Sequence, residues 1–351
     1  MKRLYILLLS FFCKFLVASE YSLIVLGDTH FDAEKYHASK PVYPFQIQER
    51  ERNVSMWANG SSEAVLRAAA AKDTSDVPFV IQTGDLSQGD CDTPEDQAKM
   101  VSDGFEKIKS FFNGKKLFSV VGNHDVRLAV PKVNAELARK IFFPSIEREL
   151  GRPTKNGNYF VRQGKDLYIF FGAYNVSDRE AYDFVSGAIN QNKDARHIFY
   201  ITHVPLLAWS YRHPTPGHDK LIPLLLSHNA IILSGHIHRT SVFSITKGGK
   251  TLTQLVVSSL GADWKTNSSF EVVSDSIDKY MAEKSEKYRK MGIVQKRVAE
   301  LKKYKITKAD IYGRQSGFAV LNVKENSVTA DLYIDDSGKA KKTFILKGDN
   351  K

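Results

Sequence analysis

Five short segments of this chain carry side chains that bind metal ions, although they lie far apart in the sequence. They are Gly27-Asp28-Thr29-His30, Gly84-Asp85, Gly122-Asn123-His124-Asp125, Thr202-His203 and Gly235-His236-Ile237-His238. Carboxylate, imidazole and amide groups are ligands for divalent transition metals. A fold that gathers the five segments has enough donors for two divalent cations, as in two-metal hydrolases that act on phosphate esters.

Each of these segments follows an apolar run that is typical of a buried β-strand. The predicted strands cover residues 21–26, 77–82, 117–121, 197–201 and 230–233. Helices are predicted from a cap at Ser61 or Ser62 and from about residue 94 to 112. Strands that alternate with helices imply an α/β fold with a largely parallel core sheet, whose ligands bind at the carboxyl ends of the strands. All five segments occupy that position.

The remaining regions are predicted to be mainly structural. Residues 31–60 are polar and are expected to form an irregular surface insertion, and residues 158–173 suggest a hairpin around Gly164. Apolar residues at helical spacing predict a charged helical segment over about residues 275–308. Alternating apolar and polar residues predict antiparallel strands within residues 317–346. No internal repeat or linker interrupts the chain, so residues 20–351 are expected to form a single domain.

The N-terminal residues 1–19 are predicted to be a secretory signal peptide. Two basic residues precede an apolar run over residues 4–17, which ends at the small residues Ala18 and Ser19. This run is short for a membrane span and contains Lys14. The alternative, a buried N-terminal strand or helix, stays open. With cleavage, we expect a secreted or periplasmic protein that keeps no stable membrane span.

Composition sets two further limits. Signal cleavage would remove Cys13 and leave Cys91, so the mature chain could form no internal disulfide. The formal charge of +11 favours anionic partners in a general way. Much of this charge lies in the lysine-rich residues 279–308, and such a stretch is typical of a solvated helix face. The charge therefore does not indicate that the chain binds nucleic acid.

The five segments, in this order, resemble the calcineurin-like metallophosphoesterase superfamily. Its pattern is Asp-x-His, Gly-Asp, Gly-Asn-His-Asp/Glu, His and Gly-His-x-His, and every part is present between Asp28 and His238. Each motif is weak by itself, whereas the ordered set at strand ends is specific. The resemblance implies a four-layer α-β-β-α sandwich, here with a decorated C-terminal region. It also implies hydrolysis of phosphate mono- or diesters by a hydroxide that bridges two metal ions.

The resemblance also assigns ligands. It implies that Asp85 bridges two ions, with three further ligands for each ion. The ligands of the first ion would be Asp28, His30 and His238, and those of the second would be Asn123, His203 and His236. Mixed nitrogen and oxygen ligands suit Mn, Fe, Zn or Co, and the sequence does not choose among them.

Two residues of the third segment are implied to act in catalysis without binding metal. His124 would face the substrate and stabilise the transition state or protonate the leaving group. Asp125 would orient a neighbouring residue, or else stabilise a turn. The nearby Arg127 would either contact phosphate or lie at the surface as an ordinary arginine.

The chain departs from two branches of the family at Gln88. Purple acid phosphatases carry a metal-bound tyrosine at this place, so a charge-transfer Fe(III) site of that kind is not expected. Serine/threonine protein phosphatases carry an aspartate there, and Arg-Gly follows it. This aspartate partners the catalytic histidine. Asp90 is a candidate for the missing carboxylate.

Two other functions stay open at this stage. A secreted nuclease of the same fold is one, and its binding to nucleic acid would be sensitive to salt. A non-catalytic protein that binds anionic polymers through residues 279–308 is the other, although the intact set of seven donors argues against it. The expected partner is a phosphate-ester substrate, and the sequence does not indicate the oligomeric state.

Overall fold

The computed structural model describes nine ranges of the chain, and the account below concerns these alone. They are residues 20–38, 43–129, 141–172, 177–207, 218–261, 271–272, 286–311, 316–334 and 338–348. The predicted signal segment, residues 1–19, lies outside them. Within these ranges, none of the helices combines the length and the apolar character that crossing a membrane requires.

The first of two β-sheets has six strands in the order β14-β13-β12-β1-β2-β3. β1, β2 and β3 are parallel, whereas β12 joins β1 in antiparallel orientation and is followed by β13 and β14. The strands are β1 (Tyr21–Leu26), β2 (Phe79–Gln82), β3 (Lys116–Ser119), β12 (Phe318–Val323), β13 (Val328–Tyr333) and β14 (Lys342–Lys347).

The second sheet has eight strands in the order β10-β11-β8-β9-β7-β6-β5-β4. Its centre, β5-β6-β7-β9, is parallel and its other pairings are antiparallel. The strands are β4 (Tyr159–Gln163), β5 (Asp166–Phe171), β6 (Ile198–Thr202), β7 (Ile231–Ser234), β8 (Ser241–Lys247), β9 (Lys250–Val256), β10 (Glu271–Val272) and β11 (Lys305–Ile311).

Helices cover the outer faces of the sheets. In chain order they are α1 (Pro44–Ala58), α2 (Ser61–Ala70), α3 (Pro94–Lys109), α4 (Phe143–Leu150), α5 (Asp178–Gln191), α6 (His218–Ser227), α7 (Glu286–Arg289) and α8 (Gly292–Leu301). β5 shows why the layers form. Tyr168 and Phe170 join the apolar cluster of the first sheet, whereas Leu167, Ile169 and Phe171 join a cluster with α5 and α6. Strict alternation thus buries both faces of the strand.

The predicted fold class, a calcineurin-like α-β-β-α sandwich, is confirmed by the two sheets and their helices. The expectation of one largely parallel sheet is wrong. Strands β1 to β3 lie in one sheet and β6 and β7 in the other. The predicted hairpin is present as β4 and β5, with Gly164 at a φ of 56° in the turn. The predicted C-terminal strands are present as β12, β13 and β14.

Three local expectations differ from the structure. Residues 31–60 are not irregular throughout, because they contain α1. The N-cap of α2 is Gly60, at a φ of 78°, and not a serine. The charged helical segment ends at Leu301, since Lys305–Ile311 forms β11 along β8. Residues 275–285 of that segment lie outside the described ranges.

Candidate metal centre

The five donor segments meet where the strands of the two sheets end. Segments after β1, β2 and β3 come from the first sheet, and segments after β6 and β7 come from the second. The seven residues predicted to bind metal lie together there. They are Asp28, His30, Asp85, Asn123, His203, His236 and His238. The separation of the strands into two sheets therefore does not separate the donors.

Six of these side chains form two groups that could hold metal ions. Within each group, every residue offers a ligand atom and these atoms lie within 4.8 Å of one another. The first group is Asp28, His30, Asp85 and His238, and the second is Asp85, His203 and His236. Asp85 belongs to both groups, which is the position required of a bridging carboxylate.

Short distances within the first group show how closely its donors approach. The Nε2 atoms of His30 and His238 are 3.0 Å apart, and His238 Nε2 lies 3.0 Å from Asp28 Oδ2. The backbone N–H of His236 donates to both carboxylate oxygens of Asp28, at 2.9 and 2.8 Å. Two bare ring nitrogens repel at this separation, so a proton or a cation is needed between them.

The second group is equally compact and includes Asn123. His203 Nε2 lies 2.9 Å from His236 Nδ1 and 3.1 Å from Asp85 Oδ2. Asn123 Oδ1 is 3.1 Å from the same His203 nitrogen. The structure thus brings all seven predicted ligands together, and their binding of metal stays a prediction.

The charges at the centre fit divalent cations. Burial disfavours a charged ring at His203, but the Asp85 and Asp28 carboxylates and the Thr83 carbonyl together outweigh burial and raise the pKa of His203 to about 9. Histidine binds metal through its neutral ring, so a cation would displace this proton and take over its charge. Nitrogen and oxygen donors of this type fit transition metals rather than Ca²⁺.

Four of the predicted ligands occupy the left-handed region of backbone space. The φ angles are 43° at His30, 52° at Asp85, 70° at His236 and 49° at His238. This conformation costs a non-glycine residue about 1–2 kcal/mol. Such strain persists where surrounding contacts impose it, and it is concentrated at functional sites.

The glycines in the donor segments leave room for neighbouring ligands. A Cβ atom on Gly122 would lie 2.1 Å from Asp85 Oδ1, and one on Gly235 would lie 2.2 Å from Asp28 Oδ1. A Cβ on Gly84 would lie 2.6 Å from His203 Nδ1. Each of these glycines therefore allows a ligand from another segment to approach the backbone.

His124 lies beside the centre and belongs to neither group. Its ring is 4.5 Å from that of His30, measured between centroids, and only 6% of the residue is exposed. His124 Nδ1 donates to the main-chain oxygen of Gln88 at 2.8 Å, which leaves Nε2 as the other ring nitrogen. The backbone N–H of His124 donates to Asp85 Oδ1 at 2.7 Å.

Asp125 braces the loops that deliver the ligands. Its carboxylate accepts from the backbone N–H groups of Ser87 and Gly122, each at 2.8 Å. These bonds join the loop after β2, which carries Asp85, to the loop after β3. They correspond to a turn-stabilising role for Asp125, and its catalytic role stays a prediction.

Arg127 and Asp90 interact with each other rather than as the sequence suggested. Arg127 Nη2 donates to Asp90 Oδ2 at 2.6 Å and to Glu49 at 3.0 Å, and its side chain is only 15% exposed. Arg127 is therefore not an ordinary surface arginine, because Nη2 of its guanidinium is engaged by two carboxylates. The Asp90 carboxylate is engaged in this pair, and the partner of His124 Nδ1 is instead the Gln88 carbonyl.

Helix α1 supplies contacts that sequence reasoning missed. Trp57 Nε1 donates to the main-chain oxygen of His30 at 2.9 Å, and Asn53 Nδ2 donates to Gln88 Oε1. The inward face of α1 is mainly polar, with Gln46, Arg50 and Asn53 buried beside Trp57. It therefore lacks the apolar periodicity that marks most amphipathic helices. The sequence signal that remains for the start of α1 is Pro44, which lies in its first turn, where proline is common.

Comparison with known proteins identifies relatives of this fold. The calcineurin-like phosphoesterase family matches residues 21–240. GAP50, the anchor in the inner membrane complex of Plasmodium, is 14% identical with a TM-score of 0.54, over 95% of this chain and 90% of its own. PhoD is 9% identical with a TM-score of 0.53, over 93% and 68% respectively.

A dimetal phosphatase from Danio rerio is 10% identical with a TM-score of 0.51, over 94% of this chain and 99% of its own. At these identities the likeness to the three solved structures shows the fold alone. No curated protein sequence matched the chain.

Proposed function

Because the chain belongs to the calcineurin-like phosphoesterase family, we propose that it hydrolyses phosphate mono- or diesters at a centre of two divalent metal ions. The main support is the pair of donor groups that share Asp85. The proposed location, secreted or periplasmic, rests on the predicted signal peptide over residues 1–19.

The proposed ligand roles follow the two groups. Asp28, His30 and His238 would hold one ion, Asn123, His203 and His236 would hold the other, and Asp85 would contribute to both. When bound, two such ions lower the pKa of a water molecule and neutralise charge on phosphoryl oxygens. The protein holds the ligands in place through glycine-permitted contacts and through the backbone bonds to Asp28 and Asp85.

The proposed role of His124 is proton transfer to the leaving oxygen. With Nδ1 donating to Gln88, the ring has a defined orientation beside the centre. A positioned histidine can then donate from Nε2 as the ester oxygen departs. Asp125 keeps His124 in place indirectly, because its bonds join the loop that carries His124 to the loop that carries Gln88.

Elemental analysis of active protein is expected to find two metal ions per chain. A chelator should remove turnover of p-nitrophenyl phosphate and of bis-p-nitrophenyl phosphate, and Mn²⁺ should restore it. Comparison of the two substrates separates monoester from diester hydrolysis. One ion per chain in fully active protein would overturn the proposed assignment of ligands, and activity that resists the chelator would overturn metal-dependent hydrolysis.

A non-catalytic binding function is the second candidate, because one structural relative, GAP50, is described as an anchor. The same assay separates the two. Metal-loaded protein that binds two ions but turns over neither ester would favour a binding role.

A further inference from the structure

One face of helix α1 reaches the residues around His124. Gln46, Glu49 and Asn53 are spaced three and four residues apart, so they project from the same side of the helix. Gln46 Nε2 donates to Asp90 Oδ1 at 3.2 Å, and Glu49 accepts from Arg127 at 3.0 Å. The helix therefore contacts the loops after β2 and β3 through polar side chains.

Asn53 contacts Gln88, the residue whose main-chain oxygen accepts from His124. Its Nδ2 donates to Gln88 Oε1, and its Oδ1 accepts from Arg52 Nε at 3.3 Å. The nitrogen of the same Gln88 amide, Nε2, donates to Asp90 Oδ2 at 3.3 Å. Both Asn53 and Gln88 are buried, with exposed fractions of 1% and 0%. The Gln88 side chain is thus held at both ends.

We propose that Asn53 is a positioning residue for His124, acting through Gln88. The main-chain oxygen of Gln88 accepts from His124 Nδ1, so the placement of Gln88 sets the orientation and tautomer of the ring. Serine/threonine protein phosphatases, a branch of the family that this chain resembles, carry a carboxylate at the position of Gln88. Here the main-chain carbonyl of Gln88, whose side chain contacts α1, takes its place. This inference rests on the proposed function, because it assumes that His124 acts on the substrate.

A double-mutant cycle tests the coupling between the two residues. Asn53→Ala is expected to lower kcat about 10–100-fold, as loss of an outer-shell partner does. KM and metal content should be unchanged. In a His124→Ala background the same change should have no further effect, because residues that act as one unit are not additive. Ser55→Ala, on the exposed side of α1, is the control and should match the unmodified protein.

The ring tautomer gives a readout that does not depend on activity. ¹⁵N NMR of His124 should show the proton on Nδ1 in the unmodified protein and a mixture of tautomers in Asn53→Ala. Asn53→Asp, which keeps the shape but cannot donate, serves if the alanine variant does not fold. Equal losses in both backgrounds, or an unchanged tautomer, would overturn positioning. An inactive metal-loaded parent with the expected tautomer shift would refute the proposed function and leave the positioning contact intact.

A separate cavity of about 520 Å³ lies between β14 of the first sheet and β8, β9 and β11 of the second. Its walls include Asn229, which precedes β7, whereas the donors His236 and His238 follow the other end of β7. The cavity therefore lies away from the candidate metal centre. Other lining residues, drawn from β8, β9, β11 and β14, are Ser244, Thr246, Thr251, Thr253, Lys308 and Lys347.

The inner face of the β8–β9 hairpin changes from apolar to polar side chains at this cavity. The cross-strand pair Val242 and Leu255 belongs to the apolar cluster between the sheets. The next pairs on the same face are Ser244 with Thr253 and Thr246 with Thr251. The Ser244 and Thr253 hydroxyls lie 3.1 Å apart. Hydroxyl groups thus replace apolar side chains where the sandwich opens.

Two lysines, Lys308 and Lys347, are among the residues that line the cavity, and Lys308 Nζ also lies 5.7 Å from the centre of the Phe344 ring. Lys308 Nζ donates to the main-chain oxygen of Ile345 at 3.4 Å, and Lys347 Nζ donates to that of Arg196 at 3.3 Å. Burial lowers the pKa of both lysines. Two carboxylates near them, Asp310 and Asp166, are engaged by Lys342 and Arg196.

We infer that this cavity binds a phosphorylated, sugar-sized ligand. Hydroxyl and amide groups suit the hydroxyls of a sugar, and the Lys308 ammonium group suits a phosphate. The volume lies within the range of small-molecule sites. A bound anion would offset the charge of the partly desolvated Lys308.

Calorimetry with glucose 6-phosphate tests this site on chelator-treated protein, in which the candidate metal centre is stripped. Saturable binding is expected, together with weaker binding of inorganic phosphate and none of glucose. Lys308→Met should weaken binding about tenfold, the equivalent of 1.4 kcal/mol. Lys290→Met removes the same charge from a side chain on an exposed helix turn and should have no effect. Absence of saturable binding, or equal losses in both variants, would overturn the inference.

Discussion

Asp85→Asn is expected to lower turnover by at least about 10³-fold, since loss of several kcal/mol of transition-state stabilisation corresponds to that factor. Asp85 is the one carboxylate present in both donor groups, so the change removes negative charge from both ion sites together. Asparagine keeps the size of the side chain, and its oxygen can still accept from the His124 N–H. The expected loss therefore reflects charge and metal binding rather than shape.

Steady-state kinetics and elemental analysis check this prediction. The Asp85→Asn protein should bind fewer metal ions than the unmodified chain while its thermal unfolding stays cooperative. Asp183→Asn is the matched control, since Asp183 lies on the exposed side of α5 and pairs with Arg179 at 3.5 Å. Near-native turnover of the Asp85 variant would show that the ligand assignment is wrong.

His124→Ala is expected to slow the chemical step about 10²–10⁴-fold, the usual contribution of a general acid or base. Both metal ions should remain bound, because His124 belongs to neither donor group. The loss should be small for p-nitrophenyl esters, whose leaving group needs little protonation. It should be large for alkyl phosphates, whose departing alkoxide is strongly basic.

The comparison of leaving groups decides how His124 acts. Equal losses for aryl and alkyl esters would leave His124 as a stabiliser of charge and exclude proton transfer. Loss of metal in the variant would make it a ligand and force a new assignment. His228→Ala, at the exposed end of α6, provides a histidine control that should retain full activity.

The donor set could be predicted because each ligand follows a short apolar strand and several follow a glycine. That pattern depends on local geometry, which the sequence records directly. The pairing of the strands is less local. β12 could be recognised as a strand, but its antiparallel place beside β1 depends on contacts between residues about 300 positions apart. The separation of the site between two sheets was therefore not predicted from strand patterns alone.

Helix α1 and strand β11 were missed for different physical reasons. The buried face of α1 is mainly polar because it contacts Gln88 and Asp90. The sequence therefore shows no apolar residues at helical spacing from which the helix could be predicted. β11 carries lysines at both exposed and half-buried positions, which made it look like the end of a charged helix. Its pairing with β8 also contains an irregularity between Ile306 and Lys308, which interrupts strict alternation.

The origin of the ligands in two sheets has a thermodynamic consequence. Ions held by Asp85 from the first sheet and by His203 and His236 from the second would fasten the halves of the sandwich to each other. Ligands that bind only the folded state stabilise it by mass action, by about 2.7 kcal/mol at a hundredfold excess over Kd. The concentration of free metal would then govern the resistance of the chain to unfolding and proteolysis, as well as its catalytic rate.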